Sequence, residues 1–73
     1  MSNDKWPSTK AGQVFKALIK IGWEIKRHKS SSHVVLEQKD FPNYVWAFRN
    51  NDELGSKMLS RIAKHTGLTI NDL

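Results

Sequence analysis

Apolar residues recur at helical spacing near both ends of the chain. In residues 10–21, Val14 and Leu18 fall on one side of a helix, and Gly22 can adopt the left-handed conformation that ends one. The same spacing predicts a second helix over residues 57–66, again followed by a glycine. We therefore expect two amphipathic helices, each with one apolar face to bury.

Several small polar residues are candidates for the helix N-caps. Ser8 or Thr9 would cap the first helix, because a hydroxyl there can accept a hydrogen bond from a free backbone N–H group. Ser56 would cap the second helix, whereas Asn51 or Asp52 would cap a longer version of it with a glycine inside. Both alternatives for the second helix are compatible with the sequence.

Between the helices, apolar and polar residues alternate in three short runs that predict strands over residues 23–28, 33–38 and 44–48. Polar turns over residues 29–32 and 39–43 separate them, and turns this short imply an antiparallel meander. The predicted order is α-β-β-β-α. We expect an α+β fold in which a three-stranded antiparallel sheet has both helices packed on one face, since that face is the large apolar surface available.

Turn length predicts how the strands pair, because side chains alternate between the two faces of a sheet. A four-residue first turn and a five-residue second turn pair His28 with His33, Lys26 with Val35, Glu24 with Glu37, Leu36 with Trp46, and Val34 with Phe48. Both turns then assign one set of residues to the inner, helix-covered face: Trp23, Ile25, Val34, Leu36, Tyr44, Trp46 and Phe48. His28, His33, Lys26 and Val35 are assigned to the outer, solvent face.

Chain length and composition restrict the class of protein. With 73 residues and no cysteine, the chain is expected to form one domain over residues 9–73, without disulfides. Residues 1–8 are expected to be a flexible tail, from which Trp6 can fold back onto the domain. No apolar run approaches the roughly 20 residues of a membrane span, and the N-terminus does not resemble a signal peptide, so a cytoplasmic protein is expected.

The formal net charge of +5 is concentrated in the first half of the chain. Residues 5–39 contain eight lysines and arginines against two glutamates, whereas residues 40–73 contain four cationic and four acidic residues. A basic surface attracts phosphate backbones over about one Debye length, which makes a nucleic acid a plausible ligand.

The densest group of candidate chemistry lies in residues 26–36, where two histidines, three consecutive serines and several cations precede an apolar strand. This stretch, together with Ile21-Gly22-Trp23 before it and Gly67-Leu68 near the end, resembles the HicA-type toxins of bacterial HicAB toxin–antitoxin systems. The resemblance covers residues 10–73. It implies a fold similar to a double-stranded-RNA-binding domain, a ribosome-independent ribonuclease that cleaves mRNA, and a HicB-type antitoxin as partner. His33 matches the catalytic strand histidine of the family.

A histidine suits metal-independent RNA cleavage, because it can take or give a proton near neutral pH. We expect His33 to be the general acid or base, with His28 as a second proton carrier if the two face each other across the turn. Six residues are expected to bind RNA: Lys26, Arg27, Lys29, Ser31, Ser32 and Arg49. The three histidines lack zinc-site spacing, so no metal or other cofactor is expected.

Each of these expectations has a plainer alternative. The aromatic strand residues could stack on bases, but their alternation favours the core, and His65 is expected to pack at the edge of the second helix.

Two other functions also remain open. The domain could bind RNA by shape and charge without cleaving it, or it could be an inactive toxin homologue that acts as a protein-interaction domain.

Overall fold

A computed structural model of the chain describes residues 6–30 and 33–73. In chain order its elements are β1 (Thr9–Lys10), α1 (Ala11–Lys20), β2 (Glu24–Ser30), β3 (His33–Gln38), β4 (Phe41–Trp46), β5 (Glu53–Leu54), α2 (Ser56–Thr66) and a final 3₁₀ turn (Ile70–Asp72). Strands β2, β3 and β4 form an antiparallel sheet in that order, and β1 pairs separately with β5. The predicted α+β fold is confirmed: a three-stranded antiparallel sheet lies between the two helices in chain order.

One hydrophobic core lies between the helices and the inner face of the sheet. Val14 and Leu18 of α1 belong to the same buried cluster as Leu59 and Ile62 of α2. Leu36, in the central strand, is fully buried in that cluster. Both amphipathic faces are therefore covered by a single sheet face, as their spacing predicted.

Two tryptophans connect the ends of the chain to this core. Trp6 is only 9% exposed and lies in the cluster, which confirms that it folds back onto the domain. The indole N–H of Trp23 donates a hydrogen bond of 3.1 Å to the backbone carbonyl of Thr66, which joins the start of the sheet to the end of α2. Residues 1–5 of the predicted tail lie outside the described residues.

The predicted N-caps are wrong for both helices. The N-cap position of α1 is Lys10, and its first N–H groups donate instead to backbone carbonyls, from Ala11 to Asp52 at 2.8 Å and from Gly12 to Asn50 at 3.0 Å. The N-cap position of α2 is Gly55. The longer helix that Asn51 or Asp52 would have capped is absent, because β5 occupies residues 53–54. Tertiary backbone acceptors thus satisfy at α1 the donors that a local hydroxyl was expected to satisfy.

The first hairpin departs from the predicted register. Glu24 lies opposite Glu37 as predicted, but register shifts follow between Ile25 and Arg27 and between His28 and Ser30. Each shift adds one residue to β2, so the prediction that His28 pairs with His33 is wrong. Ser30 lies opposite His33, and His28 lies opposite Val34. The predicted pair of Lys26 and Val35 is also wrong, because Arg27 takes that place.

The second hairpin is tighter than predicted. Strand β4 begins at Phe41, since Asp40 adopts a left-handed φ of 72° and closes the turn early. Pro42 then lies inside β4, which an edge strand tolerates. Val34 pairs with Trp46, and Leu36 pairs with Tyr44, two positions away from the prediction. A shift of two leaves each side chain on its predicted face.

The predicted faces are correct for most inner residues, but the burial of two strand residues differs from the prediction. Ile25 is 46% exposed although it was assigned to the core. Val35 was assigned to solvent but is only 4% exposed. It lies in the central strand between Arg27 and Val45, so neighbours on both sides share its face.

Candidate active site

His33 begins β3 and is solvent-exposed. It lies two residues from Val35 on the same strand, so both side chains belong to the outer face of the sheet. A hydrogen bond of 2.9 Å joins its Nδ1 atom to the hydroxyl oxygen of Ser30, the residue opposite it in the hairpin. The imidazole is therefore exposed and oriented by a neighbour on the adjacent strand.

The Ser30 hydroxyl is compatible with either neutral tautomer of His33, because a hydroxyl can both donate and accept. When Ser30 donates to Nδ1, the ring is neutral with its proton on Nε2, and a neutral imidazole N–H is too weak an acid to protonate a leaving oxygen. When Nδ1 donates to Ser30, Nε2 has a lone pair and can act as a base. Once Nε2 takes up a proton, the ring is an imidazolium that can act as an acid while Nδ1 still donates to Ser30, so one hydrogen bond can orient the ring in both halves of an acid–base reaction.

His28 does not share this environment. Its partner Val34 belongs to the inner face, and the His28 side chain lines a cavity there with Phe15 and Trp46. The bulge between His28 and Ser30 separates the two histidines onto opposite faces, because one extra residue reverses the alternation of the strand. The juxtaposition on which His28 was predicted as a second proton carrier is therefore absent.

The predicted RNA-binding cations lie in three places: the outer face of the sheet, the bulges of β2 and the inner-face cavity. Arg27 pairs with Val35 and so belongs to the outer face with His33, while Lys26 and Lys29 occupy the two bulges of β2. Arg49 lies after β4 and lines the inner-face cavity with His28. Within residues 6–30 and 33–73, none of these four cations forms an ion pair. Ser31 and Ser32 lie outside the described residues.

Charge is also unevenly distributed along the first hairpin. Three exposed cations of β2 lie between Ile25 and the turn that carries Ser30 and His33. The acidic pair Glu24 and Glu37 lies at the other end of the same hairpin. The cations of β2 therefore lie towards the His33 end of the hairpin, away from this acidic pair, which favours an anion there.

Ser30 is the functional residue that the sequence did not reveal, since residues 29–32 were predicted to form a turn and Ser30 was assigned no role there. A two-residue hairpin turn would have placed Ser30 opposite His33, and two-residue turns are the commonest hairpin connections. The signal was therefore present in the spacing of the two residues. The predicted packing role of His65 is confirmed, because its ring stacks on Tyr44 with centroids 5.7 Å apart and planes 19° from parallel.

Two surveys of the described residues give negative findings. No group of three or more histidine, cysteine, aspartate or glutamate side chains is placed to hold a metal ion in residues 6–30 and 33–73. Among the helices of that part of the chain, none is long and apolar enough to cross a membrane.

The fold and the basic hairpin define a small α+β domain with one exposed histidine at the head of its central strand. The profile of the family described as HicA toxin of bacterial toxin–antitoxin systems matches residues 11–68, from the first residue of α1 to beyond α2. The chain belongs to this family of toxins. All the candidate residues, from Lys26 to Arg49, lie within the matched range. No curated protein and no solved structure gives a significant match to the chain.

Proposed function

We propose that this protein is a metal-independent endoribonuclease that cleaves mRNA and uses His33 as its general acid or base. The family supports this function in general, because HicA toxins are generally mRNA-cleaving. The observation that carries it for this chain is the exposed imidazole of His33, hydrogen-bonded to Ser30 beside the cations of β2. A HicB-type antitoxin is the proposed protein partner and would cover this surface.

The proposed reaction starts with the 2′-hydroxyl of a ribose, which attacks the adjacent phosphorus while a base removes its proton. The bond from phosphorus to the 5′-oxygen then breaks, and that oxygen receives a proton, which leaves a 2′,3′-cyclic phosphate and a 5′-hydroxyl. His33 performs one of the two proton transfers at Nε2, and Arg27 on the same face stabilises the charge on phosphorus. A single proton carrier contributes about 10²- to 10⁴-fold, so we expect slow turnover.

The test is induced expression of the wild type and of His33→Ala, followed by analysis of total RNA. We expect the wild type to arrest growth and fragment mRNA, and the variant to do neither. The purified variant should keep the wild-type circular dichroism spectrum, because His33 is exposed and outside the core. Cleavage by the purified wild type should continue in EDTA.

His65→Ala is the matched control for this experiment. It also removes an imidazole, but from a ring stacked on Tyr44 at the surface of α2. We expect this control to stay toxic. Equal toxicity of His33→Ala and the wild type would remove His33 from the mechanism.

A second candidate function is RNA binding without cleavage. It is favoured by the placement of His28, since the described residues put one imidazole, rather than two, on the outer face of the sheet. In that case the wild type and His33→Ala would bind RNA with equal, salt-dependent affinity, and neither would produce cyclic phosphates. An inactive toxin that only binds its antitoxin would show neither RNA binding nor cleavage.

A further inference from the structure

A cavity of about 520 Å³ opens on the inner side of the basic hairpin, beside α1. Its volume lies within the roughly 300–1,000 Å³ typical of ligand pockets. Three aromatic residues line it, namely Phe15, Trp46 and Phe48. Three polar residues, His28, Arg49 and Asn50, share the lining with the aliphatic Ile25 and Val34. The cavity thus presents aromatic rings together with a cation and a hydrogen-bonding ring.

The aromatic lining is ordered by mutual contacts. Trp46 lies between the other two rings, with its centroid 5.7 Å from that of Phe15 and 5.0 Å from that of Phe48. Trp46 is buried, whereas Phe15 and Phe48 are only half-buried and present part of their surface to the cavity. An apolar wall is therefore held in place by packing on one side and is open on the other.

The polar side of the cavity is held by backbone hydrogen bonds. The N–H group of Arg49 donates to the Asp52 carboxylate at 2.8 Å, and the N–H group of Asp52 donates to the Arg49 carbonyl at 2.9 Å. The Asn50 carbonyl accepts from α1 at 3.0 Å. In the part of the chain that the structure describes, the side chains of His28 and Arg49 themselves make no hydrogen bond or ion pair.

The cavity lies next to the candidate active site, although it is on the other face. His28, Val34 and Trp46 form one row across the three strands, and all three line the cavity. Ser30 and His33 form the next pair of the same hairpin, at its turn. A chain that passes around this end of the sheet can therefore contact both places with adjacent units.

We propose that this cavity binds one nucleobase of single-stranded RNA, next to the nucleotide whose phosphate is cleaved at His33. The assignment rests on the proposed ribonuclease function. The base stacks on the half-buried ring of Phe48, His28 or Arg49 hydrogen-bonds to its edge, and the Arg49 charge attracts its phosphate. No acidic side chain lines the cavity, and the adjoining strand β2 carries three cations. This positive charge favours a polyanion as the occupant over a peptide that contains few acidic residues.

The test uses His33→Ala as the parent protein, so that the RNA stays intact during binding. The first probe is a fluorescein-labelled single-stranded RNA of 12 nucleotides. The other probes are versions of this RNA in each of which one nucleotide is replaced by an abasic ribose phosphate. Anisotropy titrations compare the parent with the added change Phe48→Leu. The matched control is Phe41→Leu, because Phe41 is also a partly exposed aromatic residue but begins β4, at the opposite end of the strand from Trp46.

We expect Phe48→Leu to weaken binding of the complete RNA by at least about fivefold and Phe41→Leu to leave it unchanged. At one position of the series, loss of the base should weaken RNA binding to the parent by a similar factor. The same loss should leave the RNA affinity of the Phe48→Leu protein unchanged. Equal losses in both proteins at every position would overturn the assignment. So would weaker binding of the antitoxin, with RNA binding unchanged, which would make the cavity a protein-docking site.

Failure of the proposed function gives a different result. If the wild type forms no cyclic phosphates while the base-dependent difference between the two proteins persists, the cleavage chemistry is wrong and the base site stands. If no RNA binds to the parent at all, both are wrong.

Discussion

At the scale of single residues, the chemistry of His33 depends on the residue across the turn. The ring is exposed, and the 2.9 Å hydrogen bond between Nδ1 and Ser30 contributes to its orientation. Ser30 is thus a positioning residue rather than a catalytic one in the proposed reaction. The same hydrogen bond would matter less in a domain that only binds RNA.

Ser30→Ala should lower kcat/KM for RNA cleavage by roughly 2- to 12-fold, because a neutral hydrogen bond contributes about 0.5–1.5 kcal/mol. Ser30→Thr keeps the hydroxyl and should restore activity, and Ser30→Ala should cause no further loss in the His33→Ala protein. Ser60→Ala, at an exposed position of α2, is the control. Wild-type kinetics in Ser30→Ala would show that the hydrogen bond has no role in the reaction.

At the scale of secondary-structure elements, the connection from α1 to β2 depends on a glycine. Gly22 has a φ of +113°, and a Cβ atom there would lie 2.7 Å from the side-chain oxygen of Gln38. The amide of Gln38 in turn donates to the Ile21 carbonyl at 3.1 Å. The helix end and the central strand are thus joined at one crowded position.

Gly22→Ala should lower the free energy of unfolding by roughly 2–3 kcal/mol, the sum of about 1–2 kcal/mol for the positive φ and of the displaced hydrogen bond of Gln38. Gly67→Ala is the comparison, because Gly67 also has a positive φ of +79° but its nearest neighbour would be at an ordinary 3.4 Å. It should cost only the backbone part. Urea titrations of both variants measure the difference, and equal losses would mean that Gln38 adapts freely.

At the scale of the whole molecule, one small core supports every element. Trp46 is 4% exposed and contacts three aromatic neighbours, Phe15, Tyr44 and Phe48. A domain of this size is expected to have a free energy of unfolding of about 5–10 kcal/mol. The loss of one large core side chain is therefore comparable with the total stability.

Trp46→Ala should cost roughly 3–5 kcal/mol and leave much of the protein unfolded at 37 °C. Val45→Ala is the control from the same strand, since Val45 is 42% exposed on the outer face. It should change the melting temperature only slightly. A Trp46→Ala protein that melts at the wild-type temperature would mean that the inner face of the sheet had been identified incorrectly.

Much of the fold was predictable because it depends on local patterns. The helix around Leu18, the strand from His33 to Gln38 and the stop at Gly67 follow from spacing and from glycine chemistry. The exposure of His33 was predictable for the same reason, since it depends only on its parity relative to Leu36. Family membership could also be predicted from the sequence, because the matched pattern extends over most of the chain.

The pairing across the hairpins was not predictable in this way. Alternation along β2 carries no sign of where an extra residue is accommodated, so the bulges at Lys26 and Lys29 and the reversed side of His28 appear only when the strand is aligned with β3. The backbone acceptors that begin α1 come from residues 50–52, about 40 positions away in the chain. Spacing therefore determines which face a residue tends to occupy, whereas contacts between distant segments determine its neighbours, and the chemistry proposed for Ser30, His28 and Arg49 depends on those neighbours.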